Sequence, residues 1–138
     1  MAVGFRIDFL WYQVGHGDFL HSFFSTVCHH LEEGRWGTKY PYLMNKLYQG
    51  CLEWEDVRFA REELTCIRNR LSKLAPSEVV WDIDDLTKRP PWGDAISNDI
   101  TDLSNYFVTS DGRDLISIIF QVFDEAETEK HKIEVISL

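Results

Sequence analysis

No apolar run in the sequence approaches the roughly 18 residues of a membrane span, so a transmembrane helix is not expected. Nor does positive charge precede an apolar stretch at the start. Arg6 and Asp8 interrupt residues 1–10, which reads as no signal peptide. Cysteine is scarce: Cys28, Cys51 and Cys66 are an odd number without CxxC spacing. They sit in apolar or helical contexts, the pattern of reduced thiols in a cytoplasmic protein rather than of a disulfide framework or zinc knuckle. Bases are few beside acids, 14 against 23, and the net charge is -9. A field of that sign repels phosphate backbones and argues against nucleic acid as a partner.

Recognised catalytic patterns are missing too. There is no GxSxG elbow, and Gly15-His-Gly17 and Gly34-Arg-Trp-Gly37 lack the lysine and hydroxyl of a phosphate loop. No histidine pair has HExxH spacing. His21 and His29, eight residues apart with Glu32 or Glu33 one turn on, share a helical face and could form an accidental metal site. The ordinary reading is surface or boundary histidines, so neither metal nor cofactor is expected. Cys28 lies on an apolar stripe and reads as a small buried hydrophobe.

What is present is ordinary globular material: 138 residues, 44% hydrophobic and 27% charged, the length of one domain spanning 1–138. Val3, Phe5, Ile7, Phe9 and Trp11 alternate with Gly4, Arg6 and Asp8, which predicts one strand broken by Gly15-His16-Gly17. Asp18 is the expected N-cap of a helix whose stripe is Phe19, Leu20, Phe23, Phe24, Val27, Cys28 and Leu31, running to Gly34. Arg35 to Lys39 is a loop. A short helix from Pro41 to Gly50 buries Leu43, Met44, Leu47 and Tyr48.

A third helix, from about Glu55 to Lys73, carries Val57, Ala60, Leu64, Ile67, Leu71 and Leu74 inward. Glu62 and Glu63 lie within reach of neighbouring arginines on a salt-bridged face. Ala75-Pro76 ends it. Glu78 to Ile83 predicts a second strand with Trp81 in the core, and Pro90-Pro91 stiffens the loop that follows. Residues 98–109 are open between a short helix and extended chain. Ser110 or Asp111 caps a fourth helix with Leu115, Ile116, Ile119, Phe120, Phe123 and Ala126 inside, and residues 131–138 form a last strand. The fold class is α+β: a small, antiparallel three-stranded sheet packed against about four helices.

Charge is unevenly distributed. Residues 1–52 hold four acids and four bases, and residues 53–77 hold five of each. From residue 78 there are fourteen acids and five bases, so the whole -9 resides there. Asp82, Asp84, Asp85, Asp94, Asp99 and Asp102 crowd into 21 residues around Trp81 and Trp92. Asp-x-Asp-Asp lacks the glycine and terminal glutamate of an EF-hand loop. A two-metal hydrolase would usually add histidines or an ordered spacing to such acids. The other reading is a surface for a basic protein. Trp92 reads either as an interface anchor or as packing on its own loop.

The runs Gly17-Asp-Phe-Leu-His-Ser-Phe-Phe24, Leu43-Met-Asn-Lys-Leu-Tyr-Gln-Gly50, Val80-Trp-Asp-Ile83 with Pro90-Pro-Trp-Gly93, and Asn105-Tyr-Phe-Val-Thr-Ser-Asp-Gly-Arg-Asp-Leu115 resemble the immunity protein 70 family. The resemblance spans nearly the whole chain and rests on fold-like signatures. It implies a cytoplasmic, non-enzymatic partner that binds and neutralises one cognate toxin domain of a bacterial polymorphic toxin system. No catalytic residue is carried over. With that role, the acidic stretch becomes the candidate toxin-binding face: Asp82, Asp84, Asp85, Trp92, Asp94, Asp99 and Asp102. Carboxylates there would occupy a basic cleft such as a nuclease's, replacing phosphates. Two alternatives stand beside it. One is a homo-oligomeric interaction module using Trp36, Tyr40, Tyr42 and Trp54. The other is a small carboxylate/histidine metal hydrolase.

Overall fold

In the computed structural model, which describes residues 2–137, the chain begins with a hairpin rather than one long strand. Strand β1 (Ala2–Ile7) turns through Asp8-Phe9 into β2 (Leu10–His16), with Ile7 opposite Leu10. Asp8 takes a left-handed φ of 53°, a conformation Asp tolerates and two-residue hairpin turns require. The alternation that predicted a single strand runs unbroken across the turn, so periodicity could not reveal it. The hairpin's register slips between Val3 and Gly4, leaving Val14 as an extra residue before Gly15, and both are buried. The expected break at Gly15 is thus a bulge within β2. Gly4 is obligatory, because a Cβ there would lie 2.4 Å from the Tyr12 carbonyl oxygen and 2.7 Å from the Trp11 ring.

Helix α1 (Gly17–Leu31) follows directly. Its cap is His16, whose Nδ1 accepts from the Asp18 N–H, so Asp18 is a first-turn acid rather than the expected cap. After the Glu32–Tyr40 loop, a π-helical turn (Tyr42–Leu47) buries Leu43, Met44 and Leu47. Two carboxylates organise this region. Buried Glu32 accepts from the N–H groups of Gly37, Lys39 and Tyr40. Glu63, expected on a salt-bridged face, accepts from those of Tyr42 and Leu43. Burial pushes the Glu63 carboxyl up, and those two donors offset it only in part.

Strand β3 (Cys51–Leu52) leads through a 3-10 turn into α2 (Val57–Leu71), which buries the residues its spacing predicts except Leu74, beyond its end and half-buried. Arg61 pairs across to Asp124 and Glu127 of α3 (Leu115–Glu129). Asp114 caps α3, accepting from the N–H and hydroxyl of Ser117; this replaces the expected Ser110 or Asp111. Lys130 closes the helix in the left-handed region, and β4 (Ile133–Ser137) ends the description. Leu138, in the last predicted strand, lies outside the described residues.

The sheet is antiparallel, in the order β2-β1-β4-β3. It has four strands rather than three. The first predicted strand is two, Cys51–Leu52 adds a short edge, and the predicted strand at 78–83 is irregular chain. Val3, Phe5 and Ile7 are buried in the core with the helices, while Arg6 and Glu134 pair at 3.1 Å on the other face. Among the described residues, no helix is long and apolar enough to cross a membrane.

Residues 79–114 contain no helix and no strand beyond a single bridge between Val108 and Asp114. Backbone bonds from Leu103 to the Leu74 carbonyl and from Ser110 to the Val14 carbonyl hold this arm together with side chains. From α1, Thr26 accepts from the Val80 N–H while Thr26 and Ser22 both donate to its carbonyl, and Ser25 accepts from the Ile83 N–H. These contacts explain why 78–83 is not a strand: hydroxyls of a helix, not a neighbouring strand, take its backbone groups. At the far end, buried Phe107 lies against Phe19 and edge-on to Phe23.

Candidate functional site

The seven acidic-stretch residues do not form one uniform patch. Asp85 spends its carboxylate on the N–H and hydroxyl of Thr87. Asp102 likewise accepts from Ser104 and Thr101. Thr87 donors hold the Asp85 carboxyl below the usual range. Burial pushes Asp102 up, but its hydroxyl and N–H donors outweigh that and leave it low. Both acids are local fasteners. Asp84 and Asp94 are exposed, and so is Asp99, which accepts from Ser97. Asp94 approaches Arg89 only at 3.9 Å.

Trp92 neither lies flat on its own loop nor stands free. Its Nε1 donates to the Tyr106 hydroxyl at 2.8 Å, and its ring meets Trp81 edge-on at 5.4 Å. It remains 38% exposed, enough to offer a face. Trp81, expected in a strand core, is half-buried in this pair. Beside them runs an apolar groove of about 310 Å³ lined by Phe19, Trp92, Ile96, Ile100, Tyr106 and Val108. A second cleft shares Ile96 and Tyr106 and is edged by Arg89 and Asp94. The arrangement is an aromatic shelf with free carboxylates near one end.

The sequence reading missed the partner of Asp82. That residue is half-buried against α1, where the His21 ring nitrogen Nε2 lies 3.3 Å from its Oδ1. The other ring nitrogen, Nδ1, is 2.8 Å from the Tyr48 hydroxyl, and the ring stacks toward Trp36. The N–H of Asp84, with lesser help from His21 and Lys88, holds the Asp82 carboxyl below its ordinary value. Burial, then the acids Asp18, Asp82 and Asp84, push the Tyr48 phenol up, so it stays protonated. His21, Asp82 and Asp84 bring their ligating atoms within 4.8 Å of one another. They are the one such group of three among the described residues. The pairing is sixty-one residues apart in sequence, and no local spacing signals it.

The pairing of His21 with His29 does not form. Eight helical residues separate them by about 12 Å along the axis. His29 is exposed, and His30 meets the Glu78 carbonyl oxygen. Glu32, the imagined third ligand, is consumed by backbone donors. The aromatics expected at a self-interface are also withdrawn: Tyr40 is buried and Trp36, Tyr42 and Trp54 are half-buried. Cys28 is buried as its stripe implies, whereas Cys51 and Cys66 are exposed.

A family model described as Immunity protein 70 matches residues 5–135, nearly the whole chain. No curated protein and no solved structure matches it.

Proposed function

The chain belongs to the immunity protein 70 family, and from that membership we propose that it binds and neutralises one cognate toxin domain by stoichiometric protein–protein inhibition. The family match is the observation that carries this reading, and it covers the sheet, the helices and the arm together. Residues 1–138 then act as one immunity domain in the cytoplasm of a bacterium that makes a polymorphic toxin.

The binding face we propose is the arm, Asp82 to Asp102, with Trp92 as anchor over its apolar groove. A half-exposed tryptophan beside an apolar groove supplies the desolvated contact that dominates interface energy. Exposed Asp84, Asp94 and Asp99 supply a negative field that speeds a basic partner's arrival, as a nuclease's cleft would be. Asp82, Asp85 and Asp102 keep the arm in shape and contribute charge at a distance.

The test is co-expression with the toxin domain encoded beside this gene. Killing by that domain alone and colony recovery with this chain are expected; killing regardless overturns the reading. In purified complexes, Trp92→Ala should weaken affinity by about 2 kcal/mol, mainly through faster dissociation. Asp94→Asn with Asp99→Asn should slow association and flatten its salt dependence. Unchanged kinetics in both variants would move the face elsewhere.

The grouping of His21, Asp82 and Asp84 favours one second reading, the carboxylate/histidine metal hydrolase. Metal-dependent turnover abolished by Asp84→Asn would establish it.

A further inference from the structure

His21, Asp82 and Asp84 make little sense as a simple hydrogen-bonded set. A charge-assisted bond from imidazole to carboxylate normally spans about 2.7–2.9 Å. His21 Nε2 and Asp82 Oδ1 are 3.3 Å apart, with Asp84 close by and carrying no hydrogen-bond or ion-pair partner for its own carboxylate among the described residues. Two carboxylates are thus brought together with only Lys88, 3.6 Å from the far oxygen Oδ2 of Asp82, to balance them.

The His21–Asp82 separation, with an Asp84 oxygen within 4.8 Å of both, has a familiar value in another chemistry. Ligands about 2.0–2.1 Å from a tetrahedral zinc ion lie roughly 3.3 Å from each other. The tautomer fits as well. A histidine that ligates metal through Nε2 usually gives its Nδ1 proton to an oxygen, which fixes the ring. Tyr48 stands there at 2.8 Å, and a neutral phenol accepts as readily as it donates. His21 and Asp84 also line a cleft of about 370 Å³ with Cys28, Trp36, Tyr48 and Ile83, so a fourth position has somewhere to open.

We propose that His21 Nε2, Asp82 Oδ1 and an Asp84 carboxylate oxygen bind one divalent cation of the zinc class, tying the arm to α1, with Tyr48 orienting the histidine. The three donors are nitrogen and oxygen, a set that suits zinc better than calcium, which takes six to eight oxygens. Lys88 keeps Asp82 Oδ2 as an outer partner. Binding requires a neutral imidazole and ionised carboxylates. The site does not depend on which protein the chain inhibits, and no toxin enters its test.

The experiment titrates cobalt(II), a coloured stand-in for zinc, into the chelator-stripped full chain, then competes it with zinc. One ion per chain with the intense visible absorption of a tetrahedral centre is expected. Asp84→Asn leaves every hydrogen bond of the fold in place and should weaken cobalt binding at least tenfold. Tyr48→Phe should weaken it about tenfold by removing the oxygen that orients the His21 ring. Nitrogen ligation should appear as a shift of the His21 ring resonances when zinc is added. A stoichiometry below one, or affinity unmoved by Asp84→Asn with the chain folded, would mean an adventitious ion only and overturn the proposal.

Discussion

The sheet with its three helices and the arm at 79–114 solve the same problem in different ways. Every buried N–H and carbonyl must find a partner. In β1–β4 and α1–α3 the backbone answers itself, and side chains are left free to fill the core with Phe5, Phe23, Leu64 and Phe123. In the arm, isolated backbone turns supply part of the answer and side chains supply much of the rest: Ser22, Ser25 and Thr26 of α1, and Asp82, Asp85, Asp102 and Asn105 within the arm itself. The lesson concerns the acids. A crowd of aspartates looks like a charged surface, yet several of these are structural acceptors standing where a ladder would otherwise be.

The sharpest way to break this contrast is at Phe107, an aromatic of the arm buried in the shared core. Phe107→Ala removes a fully buried ring packed on Phe19, Phe23 and Tyr106. It should lower stability by about 3–5 kcal/mol, read as a lower urea midpoint. A much smaller loss would show the arm to be a loose cover whose fate the core does not share.

Thr26→Val is gentler because it keeps the shape and deletes only the hydroxyl that serves both polar groups of Val80. A cost of about 1–3 kcal/mol is expected. Faster amide exchange should be confined to the start of the arm, with β1 and β4 amides unchanged. Acceleration in both regions alike would make them one cooperative unit.

Acid separates them most subtly. Asp82, Asp85, Asp102 and Asp111 sit below the usual carboxylate range. Their stabilisation is present above the unfolded value near about 4 and is lost as pH falls through the depressed folded values. Glu63, in the helical half, is shifted the other way, so lowering pH through its raised value removes a penalty instead. Amide spectra followed from about pH 6 to about pH 3 should therefore show the π-helical turn and α2 moving first, as Glu63 takes its proton, with the arm's resonances lost only at lower pH. Simultaneous loss would erase the distinction.

The same division explains what the sequence disclosed. Periods of two and of three to four marked β1, α1, α2 and α3, and the residues they placed inside are inside except Leu74 and Phe120, which are half-buried. The turn at Asp8-Phe9 escaped because the apolar alternation of the sequence runs on through it, yet Phe9 is exposed in the turn and Trp11 pairs with Arg6 on the outer face rather than in the core. The strand expected at 78–83 failed because β-branched residues report a wish to be extended and say nothing about who accepts the hydrogen bonds. His16 escaped as a cap for a related reason: an imidazole nitrogen can do an aspartate's work, and propensity favours the aspartate. Membership of a family was legible in scattered runs of sequence. The meeting of His21 with Asp82 was not, since it depends on how a patternless segment lies across a helix.

The clamp on Val80 has a consequence for how such a protein can change. Ser22 and Thr26 grip the peptide unit, which every residue but proline carries complete, and they are indifferent to what projects from it. A segment fastened by its main chain can exchange its outward side chains one at a time without coming loose. In a member of an immunity protein family, the fastening can stay fixed while the lettering on it is rewritten.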